Sequence, residues 1–236
     1  MPAGDELPTD PDDDPVPEPL AEGTRDLPMF PLGSVLVPSM VLGLHVFEHR
    51  YRRLVRDCLD GTPEFGVVLI ERGSEVGGGE VRTIVGTVAR MVEAAELPDG
   101  RFAIQAVGTQ RIRVQRWLDD APYPRAEVED WPDEPAAPDV DVDVDVDVDA
   151  LRTDALALLR RSLALQAELG EPSPPSTVEV TDEHEAASHQ IAALAPIGPH
   201  DRQALLAAPG TAMRLTEEAV LLGEAIELLT ARLAMG

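Results

Sequence analysis

An α+β fold is predicted for this 236-residue chain: a small, partly closed β-barrel with one helix, followed by a helical bundle. Three observations predict it. Up to residue 131, short apolar runs alternate with Gly and Pro turn signals, which is the pattern of strands and hairpins. From residue 150 onward, Leu and Ala recur at three- and four-residue steps, the period of a helix. Between the two lies a repeat of Val and Asp, Asp139–Asp149, whose low complexity marks a join rather than an element. The chain is 44% hydrophobic but only 3% aromatic, so Val, Leu and Ala must build its core.

Residues 1–25 alternate proline and acid with little to bury, and a disordered acidic tail is expected there. The barrel is expected over 26–131. It opens on Leu27–Tyr51, where prolines bar an ordinary helix interior until the spacing changes at Phe47. Tyr51, Leu54, Val55, Cys58 and Leu59 then share one helical face. The reading is strand, proline-bounded turn, strand, helix, with Pro31 and Pro38 at edge positions or bulges, because proline cannot donate to a ladder. Phe65–Glu71 reads as a buried strand. The glycine-rich stretch 73–80 lacks the Lys-Ser/Thr ending of a phosphate loop and reads as a surface loop. Thr83–Leu97 and Arg101–Val107 flank the turn Pro98-Asp99-Gly100 and form a hairpin. Gln110–Leu118 alternates Ile112 and Val114 against Arg111 and Arg113, a strand with one solvated face, and Tyr123–Trp131 is the last strand.

Residues 132–149 are expected to be an acidic linker. As a strand the Val-Asp repeat sets its carboxylates on one face, about 7 Å apart. A calcium loop needs glycine turns that let carboxylates converge, and the repeat has none. Like-charge repulsion favours an extended, solvated segment. The helical part is expected over 150–236, with helices at Ala150–Leu169, Glu183–Leu194, Pro199–Ala207 and Thr211–Leu233.

The formal charge is −25, and its distribution matters more than its size. Residues 1–26 hold nine acids and one Arg, and residues 133–149 hold eight acids and no base. The segments expected to fold are therefore only moderately acidic. Such a field repels phosphate backbones and anionic lipid. All 19 basic residues are Arg, with no Lys. That excludes, within this chain, a phosphate-loop lysine, a Ser-Lys dyad and a Schiff-base lysine. The single cysteine, Cys58, sits on the apolar helix face and reads as a core residue before a nucleophile. His45 and His49 straddle a strand–helix junction, and His184 and His189 are five apart, so no zinc site is expected and the histidines read as solvated or hydrogen-bonded. No run approaches the ~18 apolar residues of a membrane span, and the acidic, proline-rich amino terminus is the reverse of a secretory signal. A cytoplasmic location is expected.

The ordered motifs carry a family resemblance. Leu27–Gly33 followed by Leu44–Tyr51 resembles the opening signature of the Lon protease amino-terminal domain, a PUA-like β-fold. Phe65–Ile70, Val85–Ala89, Asp99–Arg101, Val107–Val114, Pro122–Ala126, Asp201–Leu206 and Arg214-Leu215 follow in the order such domains show. The resemblance covers 26–236, broken by one insertion at the Val-Asp repeat. Such domains usually carry Pro where this chain has His49. The signature residues Phe47, Glu48, Arg50, Tyr51, Gly86 and Gly108 are expected to be structural. Glu48 and Arg50 are the sharpest polar pair: one reading is a substrate clamp, the other an ion pair tying the first helix to the barrel, and the second is preferred inside a folding signature.

The resemblance implies a non-catalytic protein-interaction module without the ATPase or protease domains, and without cofactor, metal or catalytic residues. Its partners would be unfolded or tagged polypeptide clients, or a protease or chaperone, with no nucleic acid and no membrane. The binding residues are not named by the sequence. The seam between barrel and helices is the expected concave place for a client. The alternative is a PUA-like RNA- or nucleotide-binding protein, since PUA-like barrels often bind RNA. Net acidity and the lack of a basic face interleaved with aromatics argue against it. An uncharacterised hydrolase is the third reading, with no assembled catalytic group to support it.

Overall fold

The computed structural model describes residues 20–72, 81–120, 122–134 and 147–235. Most of the expected tail (1–19), the glycine-rich loop (73–80) and most of the expected acidic linker (135–146) lie outside the described residues.

Six strands and one helix form the first part: β1 (Thr24–Leu32), β2 (Val41–Val46), α1 (His49–Asp60), β3 (Glu64–Arg72), β4 (Val81–Glu96), β5 (Phe102–Leu118) and β6 (Arg125–Asp130). Their order is β2-β5-β4-β3-β1-β6, and β5 also pairs with β6. That extra pairing closes a ring of β1, β3, β4, β5 and β6, and leaves β2 outside it as an added strand on β5. Among the described residues only β1 and β3 run parallel.

One strand, β5, replaces the two expected at Arg101–Val107 and Gln110–Leu118. The glycine at 108 reads as a break, but its backbone runs on. A Cβ there would collide with the Val37 carbonyl, so glycine serves close approach rather than chain termination. Gly86 does the same on β4, against the Val67 carbonyl. Register shifts at Thr87/Ala89, Met91/Glu93 and Val114/Arg116 bend the long strands so that β5 pairs β2 with its first part and β6 with its last. Pro31 pairs β3 beyond the end of the β6 ladder, which stops at Pro28. Its missing N–H therefore falls where β1 has one neighbour. The expected tail ends sooner than Arg25: Thr24 and Arg25 are already in β1, paired with Glu129 and Val128.

Helix α1 plugs the barrel. Tyr51, Leu54, Val55 and Cys58 are buried against Phe30, Phe65, Phe102 and Ile104. Leu59, expected on that face, is 48% exposed, one step past the apolar stripe. Leu27, Met29, Val68, Val88, Ile112, Val114, Ala126 and Val128 form a second cluster.

The second part holds α2 (Val148–Glu168), α3 (His184–Leu194), α4 (Pro199–Leu206) and α5 (Thr211–Met235). Capping sets the starts: Asp147 accepts from the Ala150 N–H, and Glu183 accepts from the Glu185 and Ala186 N–H groups. Leu159, Leu163, Ile191, Leu215 and Leu222 form the shared interior. A fourth cluster joins the two parts, with Leu206 of α4 among Val35, Val37, Leu69 and Val85.

Candidate polypeptide-binding surface

The surface is built around β2. Leu42 and Leu44 pack against the core, and Val46 is buried in it, while Val41, Gly43 and His45 face solvent. That alternation follows from the two-residue strand period. Val41 is 61% exposed, Phe47 just beyond the strand 58%, and Val92 across β4 60%. Two hollows border β2. One, of about 310 Å³, lies on the solvent face and is lined by Gly43, His45, Glu93, Ala95, Ala103 and Gln105, with Leu44 and Ile104. Register explains it: His45 pairs Ala103, which pairs Ala95, and these two alanines with Gly43 leave the floor low. The other, of about 90 Å³, is lined by Phe30, Leu32, Leu44, Val46, Phe47, Glu48 and Tyr51 among others.

The signature residues sit around this second hollow or in the ring. Tyr51 is buried and stacks on Phe30, ring centroids 4.0 Å apart. Arg50 lies over the Tyr51 ring at 4.5 Å and donates to Glu48 at 3.2 Å. That ion pair is local, spanning two residues at the start of α1. It occupies the Glu48 carboxylate, which makes no side-chain cap to the helix. The Tyr51–Phe30 stack ties helix to barrel. Gly86 and Gly108 lie in the ring, away from both hollows. Burial pushes the Cys58 thiol up to about 12, the neighbouring Asp57 adding to it, and Sγ donates to the Glu64 carbonyl.

The seam between barrel and helices, the expected place for a client, is packed around Arg111, while a hollow of about 320 Å³ lined by Glu134, Glu183, His184, Gly210 and Thr211 among others lies beside Asp133. Arg111, read from the sequence as part of a solvated strand face, is only 3% exposed. The helical part covers that face. Arg111 donates to the Leu206 and Ala208 carbonyls at 2.9 and 2.6 Å and to Asp133 at 2.5 Å. Its guanidinium, with that of Arg113, lies over the Trp131 ring. Arg214 of α5, fully buried, donates to both Asp133 oxygens, and the Thr211 hydroxyl to one of them. Gln203 donates to the Val85 carbonyl. Asp133 thus anchors the helices to the barrel, although the sequence assigns it to the acidic linker. A neighbouring acid run hides such a residue, and its two arginines lie 22 and 81 residues away.

His189 also departs from its expected solvated or hydrogen-bonded state. It is buried with neither ring nitrogen bonded, and burial, helped by Arg214, pushes it down to about 3. The ligating atoms of Asp133, Glu185 and His189 lie within 4.8 Å of one another. A cation would need lone pairs there. Each Asp133 oxygen already accepts two hydrogen bonds, and two guanidinium groups stand at the same carboxylate. The donor set fits an ion-pair lock, not a metal. Burial pushes the Asp133 carboxyl up, but the bonds from Arg214 and Thr211 and the charges of Arg214 and Arg111 outweigh it and hold it below the usual range. On α5, burial raises Glu218 to about 9, against the pull of Arg214, and neither of its oxygens is bonded.

Comparison with known proteins gives one family. The ATP-dependent protease La (LON) substrate-binding domain matches residues 26–224. The chain is 29% identical over 186 residues to Lon protease 2 of Myxococcus xanthus, covering 76% of this chain and 21% of that protein. It is 27% identical over 121 residues to a LON peptidase N-terminal domain and RING finger protein of Schizosaccharomyces pombe, covering 46% and 25%. The chain therefore spans a quarter or less of the length of these curated relatives. Among solved structures, a Lon N-terminal domain protein from Xanthomonas campestris superposes with TM-score 0.57 at 31% identity, over 82% of this chain and 96% of that one. The N-terminal domain of a Mycobacterium avium complex Lon protease superposes with TM-score 0.55 over 84% and 98%, and at 14% identity it shows the fold alone.

Proposed function

We infer what the chain does from one established fact: it belongs to the ATP-dependent protease La (LON) substrate-binding domain family. The function proposed is a non-catalytic module that binds unfolded or tagged polypeptide and serves as an adaptor in protein quality control, alongside a protease or chaperone. Residues 26–131 form its binding part and 150–236 its helical support. The observation that carries the reading is the exposed apolar rim of Val41, Phe47 and Val92 beside the two hollows at β2. Rims of this kind, on a small barrel, mark interaction sites. Charge supports a protein ligand over nucleic acid. On the barrel, Arg25, Arg53, Arg56, Arg90, Arg101, Arg116 and Arg125 each face a carboxylate, which spends the positive charge a phosphate backbone would need. The non-catalytic part of the reading rests on the missing lysine and on a buried Cys58 whose thiol is pushed up to about 12.

The test is fluorescence anisotropy with labelled α-lactalbumin, reduced and carboxymethylated to unfold it, against its folded form. Saturable binding of the unfolded form alone is expected. Binding of neither form would overturn the proposal.

A further inference from the structure

We propose that the outer edge of β2 takes an extended polypeptide as an added antiparallel or parallel strand; this rests on the polypeptide-binding reading above and names its mode. The ladder fixes which groups are available. The Gly108 N–H donates to the Met40 carbonyl, and Met40 stands opposite Gly108 in the β2–β5 register. Alternation in an antiparallel pair then points the N–H and C=O groups of Leu42, Leu44 and Val46 at β5. Those of Val41, Gly43 and His45 point away from it. The other side of β5 agrees: Leu97 donates to the Arg101 carbonyl, which sends the odd-numbered residues of early β5 toward β4. Among the described residues β2 pairs with β5 alone. Three N–H and three C=O groups in a row therefore face outward without a strand to meet them.

An unpaired row of backbone donors and acceptors is matched by one kind of occupant, another extended backbone. The smaller hollow fits the same occupant. Side chains of an added strand alternate between faces. One set falls on the solvent face beside Val41, Gly43 and His45, on the opposite side of β2 from the larger hollow, which lies over β5. The other set falls toward Phe30, Leu44, Phe47 and Tyr51, where the smaller hollow lies. The edge also lacks common guards. Within Val41–Val46 there is no Lys, no Pro and no inward-pointing charge, and Gly43 at the centre leaves the backbone open to approach. Charge selects the occupant further. The smaller hollow favours apolar residues at alternate positions of the segment, and a chain carrying −25 favours a basic flank. Its length is about five residues, matched to the short strand it pairs with.

The probe is the labelled peptide Arg-Thr-Val-Thr-Val-Thr-Arg, with two analogues methylated on the backbone nitrogens of its Val or of its Thr residues. Each analogue removes one alternating set of N–H donors. The unmodified peptide is expected to bind. One analogue should lose about tenfold or more, and the other should keep its affinity, because only one set faces β2. Amide hydrogen exchange supplies the protein side: with peptide bound, the N–H groups of Val41, Gly43 and His45 should slow, while those of Leu42 and Leu44, already bonded, should not change. Gly43→Pro deletes one outward donor at a position an edge strand tolerates and should weaken the peptide without changing the melting temperature by more than a few degrees. Equal affinity for both analogues, or protection elsewhere, would overturn strand addition. So would a concentration-dependent dimer with protection at Val41, Gly43 and His45 in the absence of peptide, which would give the edge to a second copy. Binding of unfolded α-lactalbumin without these signatures leaves the polypeptide-binding reading standing and removes this one. Loss of α-lactalbumin binding removes both.

Discussion

Replacing Asp133 by Ala should destabilise the protein more than any other removal of a single charge. The Asp133 side chain is 10% exposed, against 2% for Arg111 and none for Arg214. The substitution leaves two guanidinium groups buried without their shared counter-ion, and it strands the Thr211 hydroxyl. Breaking a buried pair by removing one partner costs about 3–5 kcal/mol. For a domain of this size that is a fall in melting temperature of about 10 °C. The control is Asp130→Ala. Its partner Arg25 and the carboxylate itself are both substantially exposed, so the loss should stay under about 1 kcal/mol. Urea unfolding followed by circular dichroism reads both. The pH dependence has a definite sign. The folded Asp133 carboxyl is held below its ordinary value, so its contribution is complete above about pH 4 and is lost as pH falls through the lower folded value. Should Asp133→Ala fail to fold, a companion variant in which Asp133→Leu and Arg214→Met are combined, which strands one guanidinium, that of Arg111, instead of two, should recover part of the stability. An Asp133→Ala protein that folds and loses less than about 1 kcal/mol would refute the anchor.

Glu218→Gln should stabilise the protein at neutral pH by on the order of 2 kcal/mol, since a carboxyl raised to about 9 must take up a proton to fold; the gain grows as pH rises from the unfolded value near 4.5 toward 9 and is absent below it, as thermal melts across that range would show. Tyr51→Ala should cost roughly 3 kcal/mol or more through the lost stack on Phe30. Phe47→Ser, at an exposed site, should leave stability within about 0.5 kcal/mol while weakening the unfolded α-lactalbumin complex. Residues 26–131 and 150–236, expressed apart, should each melt less sharply than the parent, because the cut divides the Leu206 cluster and omits Asp133 from both pieces; two fragments melting as sharply as the whole would refute that.

Most helix limits were legible because caps and period are local. Glu183, Pro199 and Thr211 each mark a start within the residues around them. The first helix was legible for the same reason, Leu59 apart. Glycines misled where their role is non-local. Gly108 admits the Val37 carbonyl from a loop 71 residues earlier, and nothing in its own neighbours separates that use from a turn. The Arg111 face was misread for a related cause. Alternation reports two faces of a strand but not what covers them, and here α4 and the residues after it cover the charged one. The candidate binding surface was the least legible part. Val41–Val46 reads correctly as a strand, but its position outside the ring depends on β5 reaching past it to close on β6.

Closure of the ring and docking of the helices together account for where the free edge lies. A five-strand ring satisfies its own strands, so a sixth strand must sit outside and keep one side bare. The ties to the helical part land on the 33–40 loop, β3, β4, and the second half of β5 through Arg111, with Asp133 just beyond β6. None of these ties reaches β2. The buried arginines thus give the molecule a fixed side, where helices hold the barrel, and β2 is left as the strand with backbone to offer. In that arrangement the acidic charge and the edge would act on different properties of the proposed polypeptide client. On the proposed reading, the field discourages nucleic acid and other acidic chains within about 10 Å at ordinary ionic strength, and the edge asks only for an extended backbone, which an unfolded polypeptide has and a folded one has already used.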